Sequence, residues 1–225
     1  MLTVHIKKQL SHYTLDVQFR VGKEVLVLFG PSGSGKTTIL NSIAGLTKID
    51  YGEIILNNRI LCRNGKSLLP VQKRKVGYLF QDYALFPHKT VWENIAYGMK
   101  RKNFVRQLMR DLHMEHLQNH YPHEISGGEK QRTALIRSLA TEPELLLLDE
   151  PFSALDEQTK KNSYQQLLDI QQRWQIPIIL VTHNTMEVET LANKVFYIED
   201  GKFTEEKRNE SLYNTFSFRN LLTDS

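Results

Sequence analysis

The chain has 225 residues, and its 29 Lys and Arg against 25 Asp and Glu give a formal net charge of +4. Hydrophobic residues make up 40% and charged residues 24%, values that exclude a fibrous or globally disordered protein and are typical of one large globular domain. The basic residues are scattered among acidic ones, which argues against nucleic acid as a partner. The lone cysteine, Cys62, excludes an internal disulfide and any multi-cysteine metal site.

Neither membrane insertion nor secretion is predicted from the sequence. The longest apolar runs, at 145–148 and 178–181, are far shorter than the ~20 residues that a membrane span needs. The first ten residues have no apolar segment followed by a small-residue cleavage site, so we expect no secretory signal. Any role at a membrane therefore depends on a partner.

In chain order, the first predicted elements are short strands with alternating apolar residues. Leu15, Val17 and Phe19 alternate with polar residues, and a second short strand at 53–56 leads into a turn at Asn57. Such alternation is typical of antiparallel strands with one buried face. We therefore predict an antiparallel β edge subdomain within the first 75 residues.

The following elements alternate between strands and helices. Residues 25–29 form a continuous apolar run, which indicates a strand buried on both faces, and residues 36–44 are predicted to form the next helix. Further strands are predicted at 76–80, 145–148 and 176–182, with a helix at 156–175. This alternation predicts an α/β fold with a mainly parallel core sheet.

A stretch without strands interrupts the alternation. An apolar stripe at helical spacing indicates an amphipathic helix there; it consists of Phe104, Val105, Leu108, Met109 and Leu112. We expect a single domain, with a core cassette over 1–84 and 126–210 and a small α-helical subdomain over 85–125. A last strand at 195–198 precedes a C-terminal tail over 211–225, and we expect no C-terminal regulatory domain.

The most specific motif lies between the strand at 25–29 and the helix at 36–44. It matches G-x-x-x-x-G-K-[ST] at every specified position and consists of Gly30, Pro31, Ser32, Gly33, Ser34, Gly35, Lys36 and Thr37. Glycines let backbone N–H groups cradle phosphate oxygens at a helix N-terminus. We expect Lys36 to reach the β- and γ-phosphates of a bound nucleotide and the Thr37 hydroxyl to ligate Mg²⁺, with Thr38 next to them in the nucleotide site.

Two acidic residues, Asp149 and Glu150, directly follow the four leucines at 145–148. Open α/β sheets bind ligands at the carboxyl ends of their strands, and acids placed there are costly unless they serve a function. We expect Asp149 to hold Mg²⁺ and Glu150 to position or deprotonate the attacking water. The alternative is that the two carboxylates only cap the helix beyond Pro151.

Residues 125–132, Ile-Ser-Gly-Gly-Glu-Lys-Gln-Arg, resemble the L-S-G-G-Q signature of the ABC transporter ATPases. The other sequence elements of that family are present along the chain in the expected order. Gln81 resembles its Q-loop glutamine, Asp156 in the segment 153–156 its D-loop aspartate, and His183 its switch histidine. Tyr13 is similar in position to the aromatic residue that stacks on adenine, with an ordinary sheet aromatic as the alternative.

Three positions depart from the family pattern. Ile125 and Glu129 replace the usual leucine and glutamine of the signature, and Asn184 stands where an aspartate often follows the switch histidine. All three leave Ser126 and the two signature glycines intact. We therefore still expect ATP hydrolysis.

The resemblance implies a P-loop NTPase cassette that works as a homodimer. In that family, Ser126, Gly127 and Gly128 face the γ-phosphate bound by the opposite protomer, so that two ATP–Mg²⁺ are held head to tail. The resemblance further implies that His183 contacts the γ-phosphate and that Asp156 shapes the dimer contact. Gln81 is implied as a metal ligand that couples the nucleotide to the helical subdomain.

The region 81–98 resembles that of importer ATPases, where it receives the coupling helices of a membrane permease. Its apolar residues Leu85, Phe86 and Val91 are open to two interpretations, permease contact or core. The resemblance is strongest to the molybdate and tungstate importers, which implies a peripheral protein at the cytoplasmic face of the cell membrane and, indirectly, an external solute-binding protein. Importers of sulfate, iron or another small solute, and a soluble non-transport ABC ATPase, remain as alternatives.

Overall fold

The computed structural model describes residues 1–208, so the predicted tail 211–225 lies outside the described part of the chain. The strands are β1 (Leu2–Gln9), β2 (Thr14–Val21), β3 (Val25–Phe29), β4 (Tyr51–Leu56), β5 (Arg59–Arg63), β6 (Lys66–Ser67), β7 (Val76–Leu79), β8 (Leu145–Asp149), β9 (Ile178–Thr182), β10 (Lys194–Glu199) and β11 (Lys202–Arg208). The helices are α1 (Lys36–Ala44), α2 (Val91–Ala96), α3 (Lys102–Asp111), α4 (Gly127–Ala140), α5 (Glu157–Trp174) and α6 (Thr185–Leu191). Short 3-10 turns lie at Val71–Lys73, Glu115–Leu117 and Pro122–Glu124.

Six strands form the core sheet, in the order β11-β10-β3-β9-β8-β7. All neighbouring pairs are parallel except β10 and β11, which confirms the predicted α/β fold with a mainly parallel sheet. Strand β9 begins at Ile178 and not at the predicted Ile176. Pro177 has no N–H to donate to the ladder, although its carbonyl accepts from the Leu146 amide at 3.0 Å.

A second sheet of five antiparallel strands, in the order β2-β1-β4-β5-β6, forms the predicted antiparallel β edge. Its apolar residues share one buried cluster with one face of the core sheet and with α1. Leu26 and Leu28 of β3 and Ile39 and Ile43 of α1 belong to this cluster. Burial between the two sheets therefore fixes α1, and its first turn follows the carboxyl end of β3 directly.

The other face of the core sheet packs against helices. Val25 and Val27, which alternate with Leu26 and Leu28, belong to a second buried cluster together with residues of α2 to α5. Helix α4 contacts β7 on one side and α2 and α3 on the other. It is therefore the element that joins the helical part of the molecule to the sheet.

Residues 85–125 contain α2, α3 and two of the 3-10 turns, and no strand lies among them. Val91 at the start of α2 is fully buried, so the core interpretation holds for this residue, whereas Leu85 and Phe86 are half-buried. None of the helices within residues 1–208 combines the length and the apolar character that crossing a membrane requires.

Candidate active site

The loops that follow four neighbouring strands meet at the carboxyl edge of the core sheet. The phosphate loop follows β3, His183 follows β9, Asp149 and Glu150 close β8, and Gln81 lies two residues beyond β7. Since parallel strands present their carboxyl ends at one edge, the topology alone brings these sequence-distant side chains together.

The phosphate loop needs glycine at two positions for steric reasons. A Cβ at Gly30 would lie 2.1 Å from the Ile198 carbonyl oxygen of β10, so no side chain fits there. Gly35, the residue before α1, has φ of +105°, a left-handed conformation that side chains rarely adopt. Pro31 and Ser32 are exposed on the loop, so its tip faces solvent.

Lys36 is 5% exposed and points back into the phosphate loop. Its Nζ donates to the carbonyl oxygens of Gly30 at 2.8 Å and Pro31 at 2.7 Å, and it lies 3.4 Å from the Ser34 hydroxyl. Burial lowers the pKa of Lys36, while the carboxylates of Glu150 and Asp149 act in the opposite direction. The ammonium is therefore a strongly desolvated charge, which attracts a phosphate more strongly than an exposed lysine does.

Asp149 is buried and surrounded by hydroxyl groups. The Thr37 hydroxyl lies 3.2 Å from its Oδ1 and the Tyr78 hydroxyl 3.4 Å from its Oδ2. Burial raises the pKa of Asp149, and the negative charge of Glu150 raises it further. The hydrogen bonds from Thr37 and Tyr78 act in the opposite direction and lower it. A buried carboxylate beside a hydroxyl is the oxygen-only donor set that suits Mg²⁺, so Thr37 and Asp149 fit this ion.

Glu150, which follows β8, and His183, which follows β9, form a pair at the carboxyl ends of these neighbouring strands. The Nδ1 of His183 lies 2.9 Å from the Glu150 carboxylate. The Glu150 side chain is 15% exposed and that of His183 62% exposed, so the carboxylate is the more buried member of the pair. Glu150 has φ of +46°, while its amide still donates to the Val181 carbonyl at 3.0 Å. A non-glycine residue held in this region is costly, and such strain is typical of functional sites.

A cavity of about 540 Å³ opens over the phosphate loop. Its lining includes Tyr13, Ser32, Gly33, Gly35, Lys36, Thr37, Thr38, Gln81 and Glu150. Tyr13 is half-buried, donates a hydrogen bond from its hydroxyl to the Gly33 carbonyl, and packs closely on Gly201. Tyr13 and Gln81 therefore border the same space as the phosphate loop.

The signature residues lie apart from that cavity. Ser126 caps α4, because its hydroxyl accepts from the Glu129 amide at 3.4 Å and donates to the Glu129 carboxylate at 2.9 Å. Gly128 packs on the start of α5, where a Cβ would lie 2.7 Å from Thr159. Asp156 caps α5 through the amides of Gln158 and Thr159. Ser126, Gly127, Gly128 and Asp156 are absent from the residues that line the cavity within the described chain.

Sequence reasoning missed three side chains of the site. Tyr78, in the middle of β7, has its hydroxyl 3.0 Å from Asn41 Oδ1, and both lie behind Asp149. Glu187 is buried next to the Glu150–His183 pair. Helical spacing could have indicated Glu187, since it lies four residues before the fully buried Leu191 on α6. No pattern in the sequence points to Tyr78 or Asn41.

Comparison with known proteins identifies the family. The model of the ABC transporter family matches residues 14–153. The molybdate/tungstate import ATP-binding protein WtpC of Archaeoglobus fulgidus is 39% identical over 98% of this chain and 96% of its own length. The molybdenum import ATP-binding protein ModC of Pasteurella multocida is 41% identical over 95% of this chain. The Fe(3+) ions import ATP-binding protein FbpC 2 of Pectobacterium atrosepticum is 41% identical over 94% of it. The matched regions cover 62% of ModC and 61% of FbpC 2, so this chain spans less than two thirds of either.

A solved structure gives the same result at the level of the fold. The ATP-binding cassette MJ0796, determined as a dimer in a post-hydrolysis state bound to ADP and Pi, matches with a TM-score of 0.77. It is 28% identical, and the match covers 92% of this chain and 98% of that one. The P-loop NTPase fold is thereby confirmed. The chain belongs to the ABC transporter family and is an ATPase cassette of that family.

Proposed function

We propose that this chain is the ATP-hydrolysing subunit of an importer that takes up an oxyanion such as molybdate through a separate permease. The observation that carries the proposal is the similarity to the molybdate/tungstate import protein WtpC, which extends over nearly the full length of both chains. The geometry of the site supports the hydrolytic part, and the comparisons support the transport part. The two parts are tested separately.

For hydrolysis, the side chains divide the work by position. Lys36 and the phosphate-loop amides bind the β- and γ-phosphates. Thr37, Asp149 and Gln81 would hold Mg²⁺, which would neutralise phosphate charge when bound. Glu150 orients the attacking water and accepts its proton, because it borders the cavity without being buried as Asp149 is. His183, 2.9 Å from Glu150, contacts the γ-phosphate and holds the carboxylate in place.

We propose a homodimer because the signature and the phosphate loop lie apart within one chain. Ser126, Gly127 and Gly128 at the N-terminus of α4 form an anion-binding surface that does not face the chain's own cavity. A second copy placed head to tail brings this surface onto the bound γ-phosphate, and Asp156 then lies at the contact. Two ATP–Mg²⁺ are held between the copies.

The region 81–98 is proposed as the permease contact. Tyr97 is 70% exposed and its ring lies 4.8 Å from that of the half-buried Phe86. Arg137 of α4 donates to the carbonyl oxygens of Tyr83 at 2.6 Å and Ala84 at 2.7 Å, so this segment is tied to the signature helix. A peripheral position at the cytoplasmic face of the membrane follows from docking on such a permease, with an external binding protein on the far side.

The first test replaces Glu150 by Gln in the full chain. We expect ATP to bind normally while kcat falls by about a hundredfold or more, because the amide cannot accept the proton. The same variant is expected to form an ATP-dependent dimer in gel filtration with light scattering. Glu199→Gln, an exposed acid at the end of β10, is the matched control. Undiminished turnover of Glu150→Gln would rule out the proposed role.

The second test addresses the transported solute. The chain is purified with any co-purifying permease from gentle detergent extracts, reconstituted, and tested for stimulation of ATP hydrolysis by binding protein loaded with molybdate, tungstate, sulfate or iron(III). Stimulation by molybdate and tungstate supports the proposal. Stimulation by iron(III) alone favours the iron importers, to which FbpC 2 belongs by name. Failure to recover a permease favours a soluble, non-transport ABC ATPase.

A further inference from the structure

Glu187 of α6 is a buried acid for which the hydrolytic mechanism above has no use. The residue is 3% exposed, and its Oε2 has no hydrogen-bond partner among the described residues. The hydroxyl groups of Thr182 and Tyr164 hydrogen-bond to the same carboxyl group. Burying a carboxyl oxygen without a partner is costly, so either water or a change of protonation has to satisfy it.

A small polar cavity adjoins this carboxyl group. It has a volume of about 90 Å³ and is lined by Glu150, Ser153, Lys160, Thr182, His183, Asn184 and Glu187. One water needs about 10–15 Å³ measured in this way, together with several polar partners, so the cavity can hold ordered water. Glu150 lines this cavity and also the 540 Å³ cavity over the phosphate loop. A water in the small cavity would therefore lie next to the Glu150 side chain, which also borders the cavity over the phosphate loop.

The titratable groups around Glu187 come from three elements of the fold. Lys160 and Tyr164 face it from α5, Glu150 from the end of β8 and His183 from the end of β9, while β3, which also packs on α6, has no titratable side chain. Burial raises the pKa of Glu187, and the negative charge of Glu150 raises it further. The Thr182 hydrogen bond and the charges of Lys160 and His183 lower it. Two carboxylates facing one small cavity are most stable when only one is ionised.

We propose that Glu187 is a positioning residue whose neutral carboxylic acid, through water in the 90 Å³ cavity, holds the Glu150–His183 pair in its working geometry. As a neutral acid its O–H donates a hydrogen bond, whereas an ionised Glu187 only accepts and adds a second negative charge next to Glu150. This inference rests on the proposed roles of Glu150 and His183. It assigns no contact with ATP to Glu187.

The test compares three variants of the full chain in steady-state ATP hydrolysis across pH. Glu187→Gln mimics the neutral acid in shape and as a donor, so its kcat at neutral pH is expected to stay within about twofold of the wild type. Glu187→Ala removes the hydrogen bond, so its kcat is expected to fall about tenfold while KM for ATP changes less than about twofold. Glu189→Gln, exposed on the same helix, is the control and is expected to match the wild type.

Two further readouts separate positioning from a general loss of structure. The wild-type kcat is expected to decline toward alkaline pH earlier than that of Glu187→Gln, whose amide cannot ionise. Infrared spectra are expected to show a carboxylic-acid C=O band in the wild type that is absent from Glu187→Gln. Both hold even if Glu187→Ala fails to fold.

The inference is overturned if Glu187→Gln is as inactive as Glu187→Ala, or if its pH profile and infrared spectrum coincide with those of the wild type. Glu150→Gln is measured in parallel. If Glu150→Gln retains turnover, the proposed hydrolytic role fails. If Glu150→Gln is inactive while both Glu187 variants behave as wild type, the inference about Glu187 alone is wrong.

Discussion

At the scale of single residues, Asp149, the proposed Mg²⁺ ligand, is contacted by a neighbour to which the proposed mechanism gives no direct chemical role. The Tyr78 hydroxyl is 3.4 Å from Asp149 Oδ2 and 3.0 Å from Asn41 Oδ1, so it orients the carboxylate from the side away from Thr37. Tyr78→Phe removes this orientation and leaves the ring in place. We expect the Mg²⁺ concentration for half-maximal hydrolysis to rise, up to about tenfold.

The measurement is a Mg²⁺ titration of ATP hydrolysis at saturating nucleotide. Tyr51→Phe, in which the hydroxyl is removed from an exposed tyrosine of β4, is the matched control. If Tyr78→Phe and Tyr51→Phe give the same titration curve, the hydroxyl does not support the metal site.

Tyr13 illustrates how one aromatic residue combines two kinds of contact. Its ring borders the nucleotide cavity and its hydroxyl donates to the Gly33 carbonyl of the phosphate loop. If the ring stacks on adenine, Tyr13→Ala raises KM for ATP by about tenfold, in line with 1–3 kcal/mol for stacking on a base, while Tyr13→Phe stays near the wild type. A parallel titration with a triphosphate lacking a base checks the assignment. If Tyr13→Ala weakens the binding of ATP and of the base-free triphosphate equally, Tyr13 only supports the phosphate loop.

At the scale of elements, Glu144 joins the two sheets. Its carboxylate accepts from Asn57 at 2.9 Å and Arg59 at 2.7 Å, which belong to the β4–β5 hairpin, and lies 2.7 Å from the Lys75 ammonium before β7. Burial raises the pKa of Glu144, but the hydrogen bonds from Lys75, Asn57 and Arg59 outweigh it and lower the pKa to about 2. The antiparallel sheet is thus fastened to the core strand β8 by a charged cluster as well as by apolar packing.

This cluster makes stability depend on pH with a defined sign. The folded pKa of about 2 lies below the ordinary value of 4.5, so the contribution is complete above 4.5 and is lost as pH falls through about 2. We expect Glu144→Gln to lower the free energy of unfolding by about 1–2 kcal/mol at pH 7, after allowance for solvent screening. The difference in the free energy of unfolding between Glu144→Gln and the wild type shrinks as pH falls from 4.5 to about 2.

Denaturant unfolding at several pH values measures the effect. Glu142→Gln is the matched control, because Glu142 is only two residues away and pairs at 2.7 Å with an exposed arginine, Arg101. Solvent screens such an exposed pair, so it contributes little to stability. Equal destabilisation by the two substitutions would contradict the special role of the Glu144 cluster.

The elements that were predictable from sequence are those whose pattern has one physical cause. The apolar run of β3, the glycines and lysine of the phosphate loop, and the four leucines of β8 each require a buried strand or a tight turn, and the structure has them. The parallel order then places Asp149, Glu150 and His183 at one edge. Their chemical roles stay predictions, because position alone does not measure activity.

What sequence could not give is contact between residues that share no local pattern. Tyr78, Asn41 and Asp149 lie on three different elements, β7, α1 and β8. Only the fold brings the Tyr78 hydroxyl next to the other two side chains. Helical spacing places Glu187 on the same face as Leu191, but only the packing of α6 shows that its carboxyl group lies next to Glu150 and His183. Half-buried Phe86 and fully buried Val91 could not be told apart, since both are apolar residues in one loop-to-helix segment.

At the scale of the whole molecule, the proposed head-to-tail homodimer makes each complete site depend on two copies of the chain. The N-terminus of α4 packs on the start of α5, and its signature residues do not line the cavity over the chain's own phosphate loop. If each complete site takes its phosphate loop from one copy and its signature from the other, damage to the two surfaces can be placed on different chains. Two inactive variants then complement each other when mixed.

Lys36→Ala removes the buried ammonium, and Gly127→Asp places a carboxylate on the signature surface. Gly127 has room for a side chain, because the atom nearest to its Cβ would be the Ala154 carbonyl oxygen at 3.4 Å. Each variant alone is expected to be inactive. In an equal mixture about half of the dimers are mixed and each of these has one intact site, so turnover is expected to recover to at most about a quarter of the wild type.

The recovery of ATP turnover depends on which two variants are mixed, and this dependence tests the head-to-tail arrangement of the dimer. Lys36→Ala mixed with Lys36→Ala,Gly127→Asp has no intact site in any dimer and is expected to stay inactive. If the first mixture is equally inactive while light scattering shows mixed dimers, the signature does not act across the interface, and each chain completes its site within itself. Recovery of the second mixture would show instead that Lys36→Ala leaves its own site functional, because every phosphate loop in that mixture carries the substitution.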